Sequence, residues 1–233
     1  FYGVIGRIAN PIIANVDQAT GSKTKAAQIK AEAYVLRAFF HYLAVNFYAR
    51  AYNPATAAGD GGVPYMLEDF PINGLAEKRT VQEVYQFILE DLESALELDA
   101  LPENPAGMRV GKAFAYAVKA KVLMAMRDYA GADQAAIASL AINDRLLDHR
   151  DDRLAIPMPP FDIPFFERPR FNEEELFYQV SSFTMRYIFS PDLLASFDPN
   201  DLMLKYGELE NNVATYLTGG VLLNQGGNMT SLA

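Results

Sequence analysis

The sequence predicts an all-α scaffold of paired helices followed by an irregular, loop-rich region. Three observations carry that reading. Apolar residues recur at helical spacing through the first 150 positions, helix-start signals precede the periodic runs, and prolines cluster after residue 151. The division expected is one domain, 1–233, with a helical scaffold over 1–150 and a loop-rich region over 151–233 that is the candidate ligand-facing part.

The first strong element is "AEAYVLRAFFHYLAVNFYARAYN", residues 31 to 53. It reads as one long helix. Leu36, Phe39, Phe40, Leu43 and Phe47 fall at i, i+3, i+4, i+7 and i+11 and make a core stripe. Tyr34, Arg37, His41, Tyr48 and Tyr52 form a second stripe of aromatic bodies and polar tips, so both faces are committed to neighbours. "NPATAAGDGGVP" then breaks the helix with Pro and Gly. Thr80 and Glu83 form a capping box, Thr-x-x-Glu, at the head of the next helix. In that helix Val81, Val84, Tyr85, Ile88, Leu92, Ala95 and Leu96 face inward, while Glu83, Glu90, Glu93 and Glu97 face water.

Past the turn at "LPENPAGMRVG", the stretch "KAFAYAVKAKVLMAMRDYAGADQAAIASLAI" divides at "RDYAG" into two helices, the second capped by Asp128. Alanine lets such helices approach closely. The placement of Ala115, Leu123, Tyr129, Ala132 and Ala136 resembles a tetratricopeptide unit, in which helical pairs stack to bury a shared core. The 31–53 helix is then an interior helix clamped by neighbouring pairs.

After residue 151, "IPMPPFDIPFFERPRF" removes backbone donors through its prolines and favours extended loops. "EELFYQVSSF" fits a short strand or a helix end, and "SPDLLASFDPNDLML" a short helix closed by a turn at "DPND".

Composition excludes several classes. A net charge of −9 with no basic cluster argues against a nucleic-acid partner. The absence of cysteine removes disulfides and thiolate chemistry, and no apolar run is long enough to span a bilayer. "DPND" lacks the ligand alternation of a calcium loop. No zinc-protease motif, phosphate loop or nucleophile elbow is present, and the two histidines are far apart, so no catalytic residue, metal or cofactor is expected. The sequence opens without an initiator Met or an apolar leader, and the expectation is a chain cut at both ends.

The ordered series "AEAYVLRAFFHYLAVNFY", "GGVPYM", "RTVQEVYQFILEDLESAL", "GMRVGKAFAYAVKAKVLMAMRDYAGADQAA", "FNEEELFYQVS" and "SPDLLASFDPNDLM" resembles the SusD/RagB family of outer-membrane nutrient-binding lipoproteins, over roughly the N-terminal half of a member. The resemblance implies a cell-surface, non-catalytic binder of oligosaccharides or other nutrients. It also implies a SusC-like TonB-dependent transporter as partner and membrane attachment only through a lipid anchor outside these residues. Alternatives are a helical-repeat adaptor that binds a protein or peptide and a carboxylate-based glycosidase.

For a glycan, aromatic faces and amide or guanidinium groups are the useful chemistry. By resemblance, the segment after "NEEELF" faces the ligand, which singles out Arg186 and Tyr187. Tyr48 and Tyr52 on one helical face, with Asn53, form the second group, although two such tyrosines also suit an interface inside a helical array. His41, alone on its stripe, reads as a satisfied interior group.

Overall fold

The computed structural model describes residues 1–67, 75–105, 108–146, 157–158, 163–164, 174–180, 196, 207–210, 213–217 and 229–232. The chain divides into two units, Phe1–Asn143 and Asp144–Ala233.

The first unit is helical. It opens with α1 (Tyr2–Val4), a π-helical segment (Ile5–Ala9), α2 (Asn10–Asn15) and a 3-10 turn (Val16–Gln18). Pro11 sits in the first turn of α2, just after the π-helical segment. Next comes α3 (Lys23–Tyr48), opened by Ser22, whose hydroxyl accepts the Lys25 N–H at 3.3 Å. The expected helix therefore begins earlier and ends earlier. Ala49 is extended, at φ −119 and ψ 174. Beyond it the Asn53 carbonyl accepts from the N–H groups of Thr56 and Ala57, and its Oδ1 accepts from Ala55. These turn bonds satisfy the backbone in a way that competes with further helix.

The capping box stands as expected: Thr80 Oγ1 accepts the Glu83 N–H, and a Glu83 carboxylate oxygen accepts the Thr80 N–H at 2.8 Å. It opens α4 (Val81–Glu97), which buries Val81, Val84, Tyr85, Ile88, Leu92 and Ala95 and exposes Glu83, Glu90, Glu93 and Glu97. The bond from the Thr80 N–H, and with it the Thr80 hydroxyl donating to the same carboxylate oxygen at 2.9 Å, favour the charged form of Glu83 and hold its carboxyl below the usual range.

The helices α5 (Lys112–Ala125) and α6 (Tyr129–Leu140) form a hairpin. The Asp128 side chain accepts from the Gly131 N–H at 3.0 Å, and the Ser139 hydroxyl donates to the Ala113 carbonyl at 2.9 Å. Leu123, Ala132 and Ala135 pack together with Leu89, which joins the hairpin to α4. Tyr129, placed by its spacing among the packing residues, instead stands 67% exposed.

α3 is the interior helix. Ala33 packs with Ala9 and Ile13, and Phe39 meets Phe114 of α5 edge to face at 5.1 Å. Of its expected stripe, Phe39 and Phe40 are buried and Leu36 and Leu43 are half-buried. Phe47 breaks the expectation, at 71% exposed. Helical spacing reports which residues share a face, and burial needs another segment opposite that face at that height.

In the second unit the described residues form three antiparallel pairs. β1 (Pro157–Met158) pairs with β2 (Ile163–Pro164), and β4 (Gly207–Glu210) pairs with β5 (Val213–Leu217). β3 (Phe177–Val180) pairs with β6 (Met229–Leu232), so "EELFYQVSSF" supplies a strand. The short helix expected at "SPDLLASFDPNDLML" lies outside the described residues except for a turn at Ser196.

Candidate functional site

A buried polar network organises the middle of α3. Arg37 donates to both carboxylate oxygens of Asp91 on α4, from Nε and Nη2, each at 2.7 Å, and from Nη1 to Asn10 Oδ1 at 3.3 Å. This two-pronged geometry is the strong form of the charge pair, and both side chains are nearly inaccessible. The Tyr65 hydroxyl donates to the same carboxylate at 2.5 Å. Burial, and then the Asp91 charge, push the phenol well above its ordinary pKa, so it stays a donor.

His41 lies one turn beyond Arg37, wholly buried and stacked on Tyr65 at 3.8 Å between ring centroids. The Met66 N–H donates to its Nε2 at 3.1 Å, so Nδ1 carries the proton and donates to the Arg37 carbonyl at 2.9 Å. Burial is the main cause that pushes its pKa down to about 3; the Arg37 charge adds to it, and the carbonyl bond opposes it. His41 is a neutral structural group, as its position suggested.

These bonds pin the loop that follows Gly62. Asn10 Nδ2 donates to the Leu67 carbonyl at 2.8 Å, and the Tyr2 hydroxyl donates to the Pro64 carbonyl at 2.8 Å. Gly62 is required where it stands, because a Cβ would meet the Arg79 carbonyl oxygen at 2.9 Å.

The C-terminal end of α3 differs. Phe47 and Tyr48 are 71% and 72% exposed, and Phe1, 39% exposed, lies against both. Ring centroids are 5.5 Å apart for Phe1 and Phe47, 6.3 Å for Phe1 and Tyr48, and 6.4 Å for Phe47 and Tyr48. Phe40 lies buried beside Phe1 at 6.4 Å.

The structure separates the tyrosines that spacing had placed on one helical face. Tyr48 closes α3 among these rings, whereas Tyr52, beyond the helix, packs on Tyr85 of α4 at 5.0 Å. Asn53 is exposed and uses Oδ1 to hold the Ala55 turn. Arg186 and Tyr187 lie outside the described residues. Phe1 and Phe47 were missed by sequence reasoning. Phe1 carries no periodic signal, and the helical period of Phe47 pointed inward.

Among the described residues no group of three or more His, Asp or Glu could hold a metal ion, and no helix is long and apolar enough to cross a membrane. What the site offers is exposed ring faces, a phenol and an amide. That chemistry suits C–H-rich, hydroxylated ligands.

Fold and site together define a scaffold of tetratricopeptide-like helical hairpins with an aromatic surface at a helix end. The chain belongs to the SusD-like family described as starch-binding and associating with the outer membrane, which matches residues 2–124. No curated protein sequence matches it.

Among solved structures it is similar to a SusD superfamily protein from Bacteroides thetaiotaomicron VPI-5482, at 19% identity and a TM-score of 0.71, covering 97% of this chain and 53% of the other. It is also similar to a SusD-like carbohydrate binding protein from Bacteroides vulgatus ATCC 8482, at 16% identity and a TM-score of 0.68, covering 92% of this chain and 47% of the other. A laminarin binding SusD-like protein aligns at 20% identity and a TM-score of 0.53, over 78% of this chain and 36% of its own. At these identities the likeness is one of fold. The chain spans about half the length of the first two solved relatives.

Proposed function

We propose that this protein binds oligosaccharides or related nutrients at the outer face of the outer membrane and passes them to a SusC-like TonB-dependent transporter, without catalysis. The supporting observation is membership of a family described as starch-binding and associating with the outer membrane. Attachment by a lipid anchor belongs to the same proposal. So does the division of labour in which residues 1–150 form the scaffold and 151–233 face the ligand.

Arg186, Tyr187, Tyr48, Tyr52 and Asn53 are the proposed contacts. Tyr48 supplies an exposed ring and Asn53 an exposed amide, while Tyr52 is half-buried and packs on Tyr85. The test is affinity electrophoresis on soluble starch and laminarin, with peptide calorimetry and a reducing-sugar assay alongside. Retardation by a glycan, with no sugar released, is the expected result. Sugar release would make the protein a glycosidase and overturn the reading.

A helical-repeat adaptor is the second reading. It is favoured by the apolar side chains that α6 leaves in water, with Tyr129, Ile137 and Leu140 each more than half exposed. Peptide affinity without glycan retention would select it.

A further inference from the structure

We infer that residues 62–67 form an acid-sensitive strap, a loop that closes over the middle of α3 as one unit and whose catch is the bond between the Met66 N–H and His41. The inference stands apart from the carbohydrate-binding reading and holds whatever the protein binds.

Three observations carry it. First, the strap is held more by polar tethers than by apolar burial. The Gly62 N–H donates to the Arg79 carbonyl at 2.8 Å, and the Arg79 N–H donates to the Val63 carbonyl at 3.2 Å. Asn10 Nδ2 donates to the Met66 and Leu67 carbonyls, the Tyr2 hydroxyl to the Pro64 carbonyl, and the Tyr65 hydroxyl to Asp91. Of the strap's side chains only Val63 and Tyr65 are buried, whereas α4 alone buries Val81, Val84, Tyr85, Ile88, Leu92 and Ala95. A segment with so little apolar burial opens more readily than the helices it covers. Second, the strap can leave without orphaning a buried polar group. Asp91 keeps both bonds from Arg37, Asn10 keeps the bond from Arg37 Nη1, Arg79 is exposed, and His41 Nε2 turns to the water that replaces the strap. The large penalty for an unmade buried hydrogen bond therefore does not arise.

Third, the catch is a titratable acceptor. The Met66 N–H donates to His41 Nε2 at 3.1 Å, and Tyr65 stacks on the same ring. A proton on Nε2 would set donor against donor, so the closed strap disfavours the charged ring. Around His41 stand Arg37 on its own helix, Tyr2 of α1 edge-on at 5.9 Å, Tyr65 on the strap, and Asp91 of α4, bonded to both Arg37 and Tyr65. The Arg37 charge also opposes protonation, and the Tyr2 and Tyr65 phenols, pushed up by burial, keep their protons between pH 5 and pH 7. Closed, His41 titrates at about 3; released into water it returns to the ordinary 6.5. The open form thus takes up the proton first, and a fall from pH 7 to pH 5 multiplies the opening constant about 25-fold.

The test is native-state hydrogen exchange at pH 7 and pH 5, read as opening constants after correction for intrinsic exchange. The Gly62, Met66 and Arg79 amides are expected to share one constant, about tenfold or more above that of Ile88 and Leu92 inside α4, and to rise together about 25-fold at pH 5. His41→Gln should flatten that response to within about threefold. Tyr2→Phe removes only the hydroxyl bonded to Pro64, and serves should His41→Gln fail to fold. It should raise the constant of all three amides about fivefold at both pH values and leave their ratio unchanged. Exchange of the three amides only at the rate of Ile88 and Leu92, or a Tyr2→Phe effect on one of them alone, would overturn the strap as a unit. A parent constant within about threefold between the two pH values, or a folded His41→Gln protein that keeps the full response, would overturn the catch.

Discussion

Two stretches of α3 meet opposite surroundings. Around Arg37 the helix carries a charge into the interior and satisfies it with Asp91 and Asn10, while His41 reads the backbone of the following loop. Further along, at Phe47 and Tyr48, the same helix holds aromatic rings in water. Residue type alone would assign these places the other way round. The difference teaches that one helix can be tied to its neighbours by a polar clamp at its centre while its end carries aromatic rings largely in water.

Removing one half of the clamp is the severest way to test that. Arg37→Met leaves the Asp91 carboxylate buried with its cation gone, and such a change costs about 3–5 kcal/mol. The paired variant Arg37→Met with Asp91→Leu should recover most of the loss, because it leaves no buried charge behind. Urea unfolding of the parent and both variants at pH 7 measures this. A single-variant loss below about 1 kcal/mol would show that the central stretch is as dispensable as the end.

Phe39→Ala tests the apolar side of the same stretch. The ring is 2% exposed and packs edge to face on Phe114, so its truncation leaves a cavity and should cost about 3–5 kcal/mol in the same urea experiment. An effect under about 1 kcal/mol would mean that α3 and α5 do not share a core.

Acid should loosen the clamp through His41. Its folded pKa, about 3, lies below the ordinary value of 6.5, so the unfolded chain takes up the proton first. The contribution is complete above pH 6.5 and falls as pH drops toward 3. Protonation would also turn Nε2 into a donor facing the Met66 N–H, beside the Arg37 charge. Moving from pH 7 to pH 5 is therefore expected to cost about 2 kcal/mol. His41→Gln should be less stable at pH 7 but should lose most of this slope. Glu83 and Asp99, both held below their usual carboxylate range, act at lower pH and do not obscure the window. Equal slopes in parent and variant would remove His41 from the account.

Local signals were legible in the sequence and distant ones were not. Thr80 with Glu83, Asp128 at the head of α6 and the inward stripe of α4 all depend on residues within a few positions of one another, where spacing sets the geometry. The Arg37–Asp91 pair joins residues 54 apart, and Tyr65 reaches Asp91 from a loop. No period connects such positions, so Arg37 appeared only as a polar tip on a second stripe. The end of α3 was hidden for a related reason. Ala49 begins the exit from the helix, yet the bonds that favour the exit come from Asn53 and the turn after it, and no proline or glycine lies between Lys23 and Asn53. Of the site, the ring of Tyr48 was legible, but its companions were not, because Phe1 comes near it only through the fold.

The smallest expected effect on stability is the most informative about the helix end. Phe47→Gln removes a ring that is already 71% exposed and whose described neighbours are the Phe1 and Tyr48 rings, themselves partly or largely in water. Little apolar surface leaves or enters water, and glutamine is a better helix former than phenylalanine. The change in unfolding free energy should stay within about 0.5 kcal/mol. A loss above about 1.5 kcal/mol would place Phe47 in the core and end the contrast between the two stretches. Stability held within that margin shows a ring that is not kept for packing, since packing within the folded chain is lost on unfolding and would appear in that measurement.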